Sequence, residues 1–342
     1  MYRNKIILAV CYTVMLLAVG CENNKVRQKT ISPSPTEQTE VIAVKSNAVL
    51  SDVSAETATT LRIADNVYLW DKHWKIEEDC NQDELSYQSH FSGMPKLEKI
   101  EIIKSGEKIK KPSLREIETM GYQRLSTDLS VKDKLLMYKI PAKGVYGCLP
   151  AREGKVTVPK GTEAVFDNAF WDCDKITSVS LDASVKWIGN GAFGKMSSCK
   201  KIEVSEKNPY IMEKKGAIYM KDGRVLISYP AGKEDKTFVI PNGVEYIADG
   251  AFAGARNLQR VVLPSSIEYI GYQAFDGCSN LEIIKNMGEE RYKFVASNAF
   301  QNCGKLQTRI SKIYHDENYV KNWRGLYPFL DEIETWDLQG TQ

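Results

Sequence analysis

The dipeptide Ala-Phe occurs five times between residues 169 and 300, at Ala169-Phe170, Ala192-Phe193, Ala251-Phe252, Ala274-Phe275 and Ala299-Phe300. Two of the steps are 23 residues long and the last is 25; the middle step is 59, which is 23 with 36 inserted. The register extends well past the dipeptide. Four residues before each Ala lies Val165, Ile188, Ile247, Ile270 or Val295. Three after each Phe lies Cys173, Met196, Ala255, Cys278 or Cys303, and six after it Ile176, Cys199, Leu258, Leu281 or Leu306. Nine after it come Val179, Ile202, Val261 and Ile284, with Arg309 as the exception. A unit of 23 residues cannot close an apolar core by itself. It must stack on copies of itself, which is why the spacing is kept.

The best-preserved stretch reads Ile240-Pro241-Asn242-Gly243-Val244-Glu245-Tyr246-Ile247, then Ala251-Phe252, Leu258 and Val261. Leu263-Pro264 opens the next copy, which runs to Ala274-Phe275, Cys278 and Leu281. This pattern resembles the BspA-type leucine-rich repeat, found in cell-surface lipoproteins of Bacteroides-like bacteria. The resemblance covers about residues 151–310. It implies an α/β, β-rich solenoid with terminal caps, and a non-enzymatic role in binding proteins. A weaker echo, from Phe91 through Leu97 to Ile100, keeps the same offsets. Residues 61–150 are therefore expected to form an N-terminal cap domain with a degenerate repeat. Tyr319 to Trp323 and Tyr327 resemble the family's C-terminal cap, placed at 311–342.

The inserted residues, about 205–238, carry two apolar runs, Ala217–Met220 and Val225–Tyr229, around Lys221-Asp222-Gly223-Arg224. Asp-Gly supplies the positive backbone dihedrals of a tight turn, so a β-hairpin continuing the solenoid wall is expected. In the cap region, Leu61–Ala64, Asn66–Trp70 and Lys134–Ile140 read as strands, the last stopped by Pro141. Ser113 with Glu116 is a weak capping box for a short helix.

The first 21 residues are a basic start (Arg3, Lys5), an apolar run from Ile6 to Val19, and Gly20-Cys21. The layout is that of a secretory signal, too short to span a bilayer. The small residue before Cys21 resembles a lipobox, which implies lipidation of the Cys21 thiol and cleavage before it. The expected address is the cell envelope, at the outer membrane, with the choice between cell-surface and periplasmic exposure left open. Residues 22–60 are polar, with Ser32-Pro33-Ser34-Pro35, and read as a flexible tether.

Several chemistries are disfavoured. The chain of 342 residues has 46 Lys+Arg against 44 Asp+Glu, a net charge of +2, which gives no support for nucleic-acid binding. His73, His90 and His315 are its three histidines and they are dispersed. Of the eight cysteines, Cys11 lies in the signal and Cys21 is the lipid site. Cys173, Cys278 and Cys303 share a position that Met196 and Ala255 also fill, which marks a pliable buried site. No Cys-x-x-Cys pair exists, so no metal is expected. Disulfides Cys80–Cys148 and Cys278–Cys303 are both left open for an oxidising compartment. Acidic runs such as Glu77-Glu78-Asp79 and Glu289-Glu290 read as solvated loops. No catalytic residue and no cofactor is assigned, and a hydrolase is only a minor alternative.

One position stands apart. Directly before the repeated Ile/Val stand Ala164, Trp187, Tyr246, Tyr269 and Phe294. Stacked coils would bring the four aromatics into a ladder. Turned outward, it would suit a glycan or a protein partner; turned inward, it would be structural. A protein partner, with host extracellular matrix as the class implied by the resemblance, is the leading reading. Glycan binding through the ladder is the alternative.

Overall fold

The computed structural model describes residues 41–44, 48–49, 53–65, 67–70, 89–106, 123–125, 128–139, 143–286, 292–296 and 298–307, all in the unit Thr39–Gln342. Cys21 and the C-terminal cap at 311–342 lie outside these residues, as does Ser113-Glu116. Every regular element among them is a β-strand. The helical part of the α/β expectation is thereby corrected, and the cause lies in the bend around each Ala-Phe. Asn168 and Asp172 flank Phe170 with positive φ, Gly191 and Lys195 flank Phe193, Gly250 and Gly254 flank Phe252, and Gln273 and Gly277 flank Phe275. Two left-handed residues four apart interrupt any helical run.

Between bends the chain runs through short parallel strands that pair with the same strand of the next coil. Gly154–Thr157, Ile176–Leu181 and Lys201–Val204 form one three-stranded sheet; Thr237–Val239, Arg260–Leu263 and Ile283–Asn286 form another. Val156, Val179 and Ile202 are in register and face inward, as are Phe238, Val261 and Ile284. These are the residues nine after each Phe and their counterparts. Alternation on a strand turns their neighbours outward.

The phenylalanines stack in a column. Ring centroids lie 5.4 Å apart for Phe170–Phe193, 4.8 Å for Phe252–Phe275 and 5.1 Å for Phe275–Phe300, with interplanar angles of 17°, 6° and 15°. The backbone holds the column. Phe170 N–H donates to Ala192 O, Phe252 N–H to Ala274 O and Phe275 N–H to Ala299 O, at 2.7–2.8 Å. Tyr229 makes the same bond to Ala251 O and stacks 5.2 Å from Phe252. It takes the Phe position of a coil that has no Ala-Phe. Each fully buried ring of this size contributes about 2–3 kcal/mol of hydrophobic stabilisation.

The inserted segment is larger than a hairpin. Ile211–Lys214, Ala217–Met220 and Val225–Ser228 form an antiparallel meander, and Val225–Ser228 then pairs in parallel with Tyr246–Ile247, Tyr269–Ile270 and Phe294–Val295 beyond. The same arrangement occurs 82 residues earlier. Leu129–Lys132, Leu135–Tyr138 and Gly144–Cys148 form a meander whose last strand pairs in parallel with Ala164–Val165, followed by Trp187–Ile188. Positive φ closes the first turn of each, at Asp133-Lys134 and at Lys215-Gly216. Bonds recur at the same offset. Ser184 Oγ donates to Thr162 O and Ser266 Oγ to Val244 O, both at 2.7 Å. Asp167 Oδ1 accepts from Asn190 N–H, and Asp249 Oδ1 from Tyr272 N–H, both at 2.8 Å. The repeat region is thus two 82-residue blocks, each a meander followed by two 23-residue coils, with one further coil at Phe300.

Asn208 joins the blocks. It is 1% exposed. Its Nδ2 donates to Asp182 O and Val185 O of the first block, and its Oδ1 accepts from Tyr210 and Ile211 N–H of the second. Nearer the N-terminus, Val41–Val44, Thr60–Ala64 and Lys99–Ile103 form a third parallel sheet. Val44, Val53, Ala55 and Ala58 are buried there. The tether reading of 22–60 is therefore corrected from Val41 onward, because Val41-Ile42-Ala43-Val44 has the apolar surface to pair and pack. Phe91, Leu97 and Ile100 are buried, and Met94 N–H donates to Phe91 O as Cys173 N–H does to Phe170 O. The bend at Phe91 shares this bond with the bends of the repeats. Two apolar clusters result, one from Leu135 to Ala299 and one from Val44 to Phe166, and Trp187 packs against both.

Candidate binding surface

The aromatic ladder is brought together in part and is covered. Tyr246, Tyr269 and Phe294 stand on three adjacent strands in register. The rings of Tyr246 and Tyr269 stack at 4.4 Å and 4°. They are 6% and 2% exposed, and Phe294 is 3% exposed, with Tyr272 edge-on to it at 5.7 Å. Burial is the main cause that pushes the Tyr246 phenol up to about 12, with the Tyr269 phenol and the Glu268 and Glu245 carboxylates adding to it. Trp187 belongs to the other block's sheet, where it pairs with Ala164 and sits edge-on to Phe166 at 5.6 Å. The outward-facing ladder is thus corrected for Tyr246, Tyr269 and Phe294, which are packing groups, while Trp187 is half-buried. Two-residue strands are the reason the sequence left the direction open, since alternation needs a longer run to show.

A charged column runs beside the rings. Successive coils present Arg224, Glu245, Glu268 and Lys293, joined by backbone bonds from each to the next. Arg224 Nε donates to Glu245 Oε2 at 3.0 Å, and Lys293 Nζ lies 2.8 Å from Glu268 Oε2. Lys293 Nζ also stands 5.9 Å from the Tyr269 ring centroid. In the first block Lys186 pairs with Glu163 in the same way. Every member of this column is matched, and each exposed pair contributes at most about 1 kcal/mol.

The described cysteines form no disulfide. Cys148, Cys173, Cys199, Cys278 and Cys303 are free thiols. Cys278 Sγ lies 3.1 Å from Phe252 O and Cys303 Sγ 3.1 Å from Phe275 O. Each thiol caps the carbonyl of the coil before it, which fills the role a bond between the two sulfurs would remove. Cys278 and Cys303 are unbridged here. Cys148 is likewise an unbridged thiol, and Cys80 lies outside the described residues. Burial pushes the Cys199 thiol up to about 11, away from the nucleophilic thiolate form. Among the described residues no group of His, Cys, Asp and Glu is placed to hold a metal ion.

The outward face of the parallel sheets is the surface that the sequence reading missed. In the first block its rows are Lys155, Ser178, Lys201 and Thr157, Ser180, Glu203. In the second they are Thr237, Arg260, Ile283 and Val239, Val262, Lys285. Val239 is 48% exposed, the highest value among the described large apolar side chains. The signal was available: these are the residues one either side of each inward Val or Ile.

The family comparison agrees with this geometry. The BspA type leucine rich repeat region matches in six copies over residues 122–215 and 232–317, more than half of the chain. No curated protein matches. Among solved structures, a leucine-rich repeat protein from Eubacterium ventriosum is 17% identical over 76% of this chain and 62% of its own, with a TM-score of 0.39. A leucine rich cell surface protein from Faecalibacterium prausnitzii is 21% identical over 76% and 68%, with a TM-score of 0.41. The pneumococcal vaccine antigen PcpA is 17% identical over 76% and 66%, with a TM-score of 0.39. This chain thus spans about two thirds or less of the length of the first and third. The repeat register, the stacked coils and the matching copies together make the chain a member of the BspA-type leucine-rich repeat family.

Proposed function

We propose that the protein is a non-enzymatic binding module of the cell envelope, lipidated at Cys21, that recognises a protein partner through the outward positions of its coils. The observation that carries this reading is the division of labour along each strand. Inward residues such as Val179, Val261 and Ile284 make the core, while the residues beside them make no contribution to it. A repeated backbone with replaceable outward side chains is a scaffold for recognition. A host-matrix protein is the partner class, and the outer membrane the address.

Two measurements test this. Metabolic labelling with an alkyne fatty acid should mark the protein and be lost in Cys21→Ala, with the protein leaving the membrane fraction. Unchanged labelling or fractionation would refute the anchor. Purified protein should bind saturably to at least one member of a panel of immobilised extracellular-matrix proteins. Absence of binding across the panel would refute the matrix reading.

A further inference from the structure

The duplication allows one half of the molecule to serve as the reference for the other. At an offset of 82, Lys155, Thr157, Ser178, Ser180, Lys201 and Glu203 of the first block correspond to Thr237, Val239, Arg260, Val262, Ile283 and Lys285 of the second. The inward residues between them are apolar in both blocks. The backbone and core are therefore the same, and the first block folds this sheet with an outward face that is wholly polar.

The first face also holds a carboxylate of its own, Glu203. Lys201 Nζ lies 2.5 Å from Glu203 Oε1, and Ser180 Oγ donates to Glu203 Oε2 at 3.0 Å. The second face is different on both counts. Val239 pairs in register with Val262, and Ile283 stands in the adjacent row on the next strand, so three apolar side chains adjoin. Arg260 and Lys285 lie among them, and neither makes an ion pair or side-chain hydrogen bond among the described residues. No carboxylate occupies an outward position of these three strands. Elsewhere on the coils, wall cations such as Arg62, Lys186, Arg224 and Lys293 are each held by a carboxylate. The fold thus does not require the apolar row, and among the described residues no carboxylate supplies the counter-charge.

We infer that the outward face of Thr237–Val239, Arg260–Leu263 and Ile283–Asn286 docks an acidic, aliphatic segment of a protein partner. Its apolar side chains would cover Val239, Val262 and Ile283, and its carboxylates would answer Arg260 and Lys285. Buried aliphatic contacts hold such a complex together, and the unmatched cations select the sign of the partner and speed its approach. This deepens the protein-binding reading and rests on it.

The test is built from the molecule itself. A variant carrying V239T, R260S, V262S, I283K and K285E places the first block's residues on the second block's sheet, where the first block shows that they fold. A random 12-residue peptide library displayed on phage is panned against the purified full chain, and enriched peptides are synthesised and measured by fluorescence anisotropy. The expected result is enrichment of Asp and Glu interspersed with Ile, Leu and Val. Binding should weaken with salt and fall roughly tenfold or more in the variant. Enrichment of basic peptides, no enrichment, or equal binding by the variant would overturn the assignment. The same variant on the matrix panel separates the two readings. If matrix proteins bind both forms equally, protein binding stands and this surface falls. If only the acidic peptides bind, and only to the unaltered chain, the surface stands and the matrix reading falls.

Discussion

Gly271 lies directly against the carboxylate of Asp249: a β-carbon at Gly271 would stand 2.1 Å from Asp249 Oδ1 and 2.8 Å from its backbone nitrogen. That carboxylate accepts the N–H of Tyr272 and so ties one coil to the next. The equivalent pair in the first block, Gly189 and Asp167, has the same contact at 2.0 Å. The glycine is needed for space, since its φ is not in the left-handed region. Gly271→Ala should therefore cost about 2–4 kcal/mol, from overpacking and loss of a charged hydrogen bond. Gly304→Ala, where nothing lies within 4 Å, should leave stability nearly unchanged. Urea denaturation of the two variants checks this, and equal midpoints would contradict it.

Phe252 is fully buried between Tyr229 and Phe275, whereas Phe300 is part-exposed. Phe252→Ala should cost about 3–5 kcal/mol, the range for emptying a closed aromatic site. Phe300→Ala should cost less, because water reaches the space it leaves. Thermal unfolding of both variants supplies the comparison, and an equal loss would mean that the rings do not share one column.

How much of this was legible follows from particular residues. The Ala-Phe register placed the coils, because a buried ring at a fixed step tolerates little else. Tyr229 was not legible as a member of the column, since Ser228 precedes it in place of Ala. The 82-residue duplication was hidden for a related reason. Its meanders share a pattern of polarity, Leu135-Leu136 against Ala217-Ile218, and a left-handed turn, Asp133-Lys134 against Lys215-Gly216, but hardly any identities. Backbone geometry accepts several residues at such points, so letters diverge while shape persists. The outward apolar face has no rare residue type to mark it, whereas the more conspicuous Tyr246, Tyr269 and Phe294 are packing groups.

Asn208 makes four side-chain hydrogen bonds at the junction of the blocks, two of them reaching back to Asp182 and Val185 of the first block and two to the neighbouring Tyr210 and Ile211 N–H groups. Asn208→Ala leaves two carbonyls and two N–H groups without that partner in a buried place. The expected loss is about 3 kcal/mol or more. In a solenoid, stability is a sum of unit and interface terms. Weakening this one interface should therefore split unfolding into two transitions where the unaltered chain shows one. Calorimetry reads the outcome directly, and a single sharp transition at the original temperature would refute the role assigned to Asn208.

Tyr246 and Tyr272 give the fold an alkaline limit. Burial is the main cause that raises each phenol to about 12 from an ordinary value near 10, with the Tyr269 phenol assisting at Tyr246 and the Asp249 carboxylate at Tyr272. A raised acid pKa means that the folded chain holds its proton longer than the unfolded chain does. The corresponding stability is complete below about pH 10 and is lost as pH rises towards about 12. Spectrophotometric titration at the phenolate band should show ordinary tyrosines ionising first and a later step coinciding with loss of structure. The double variant Tyr246→Phe, Tyr272→Phe lacks both protons. Its stability should fall less steeply over the same interval, and an identical alkaline profile would show that these two phenols do not set the limit.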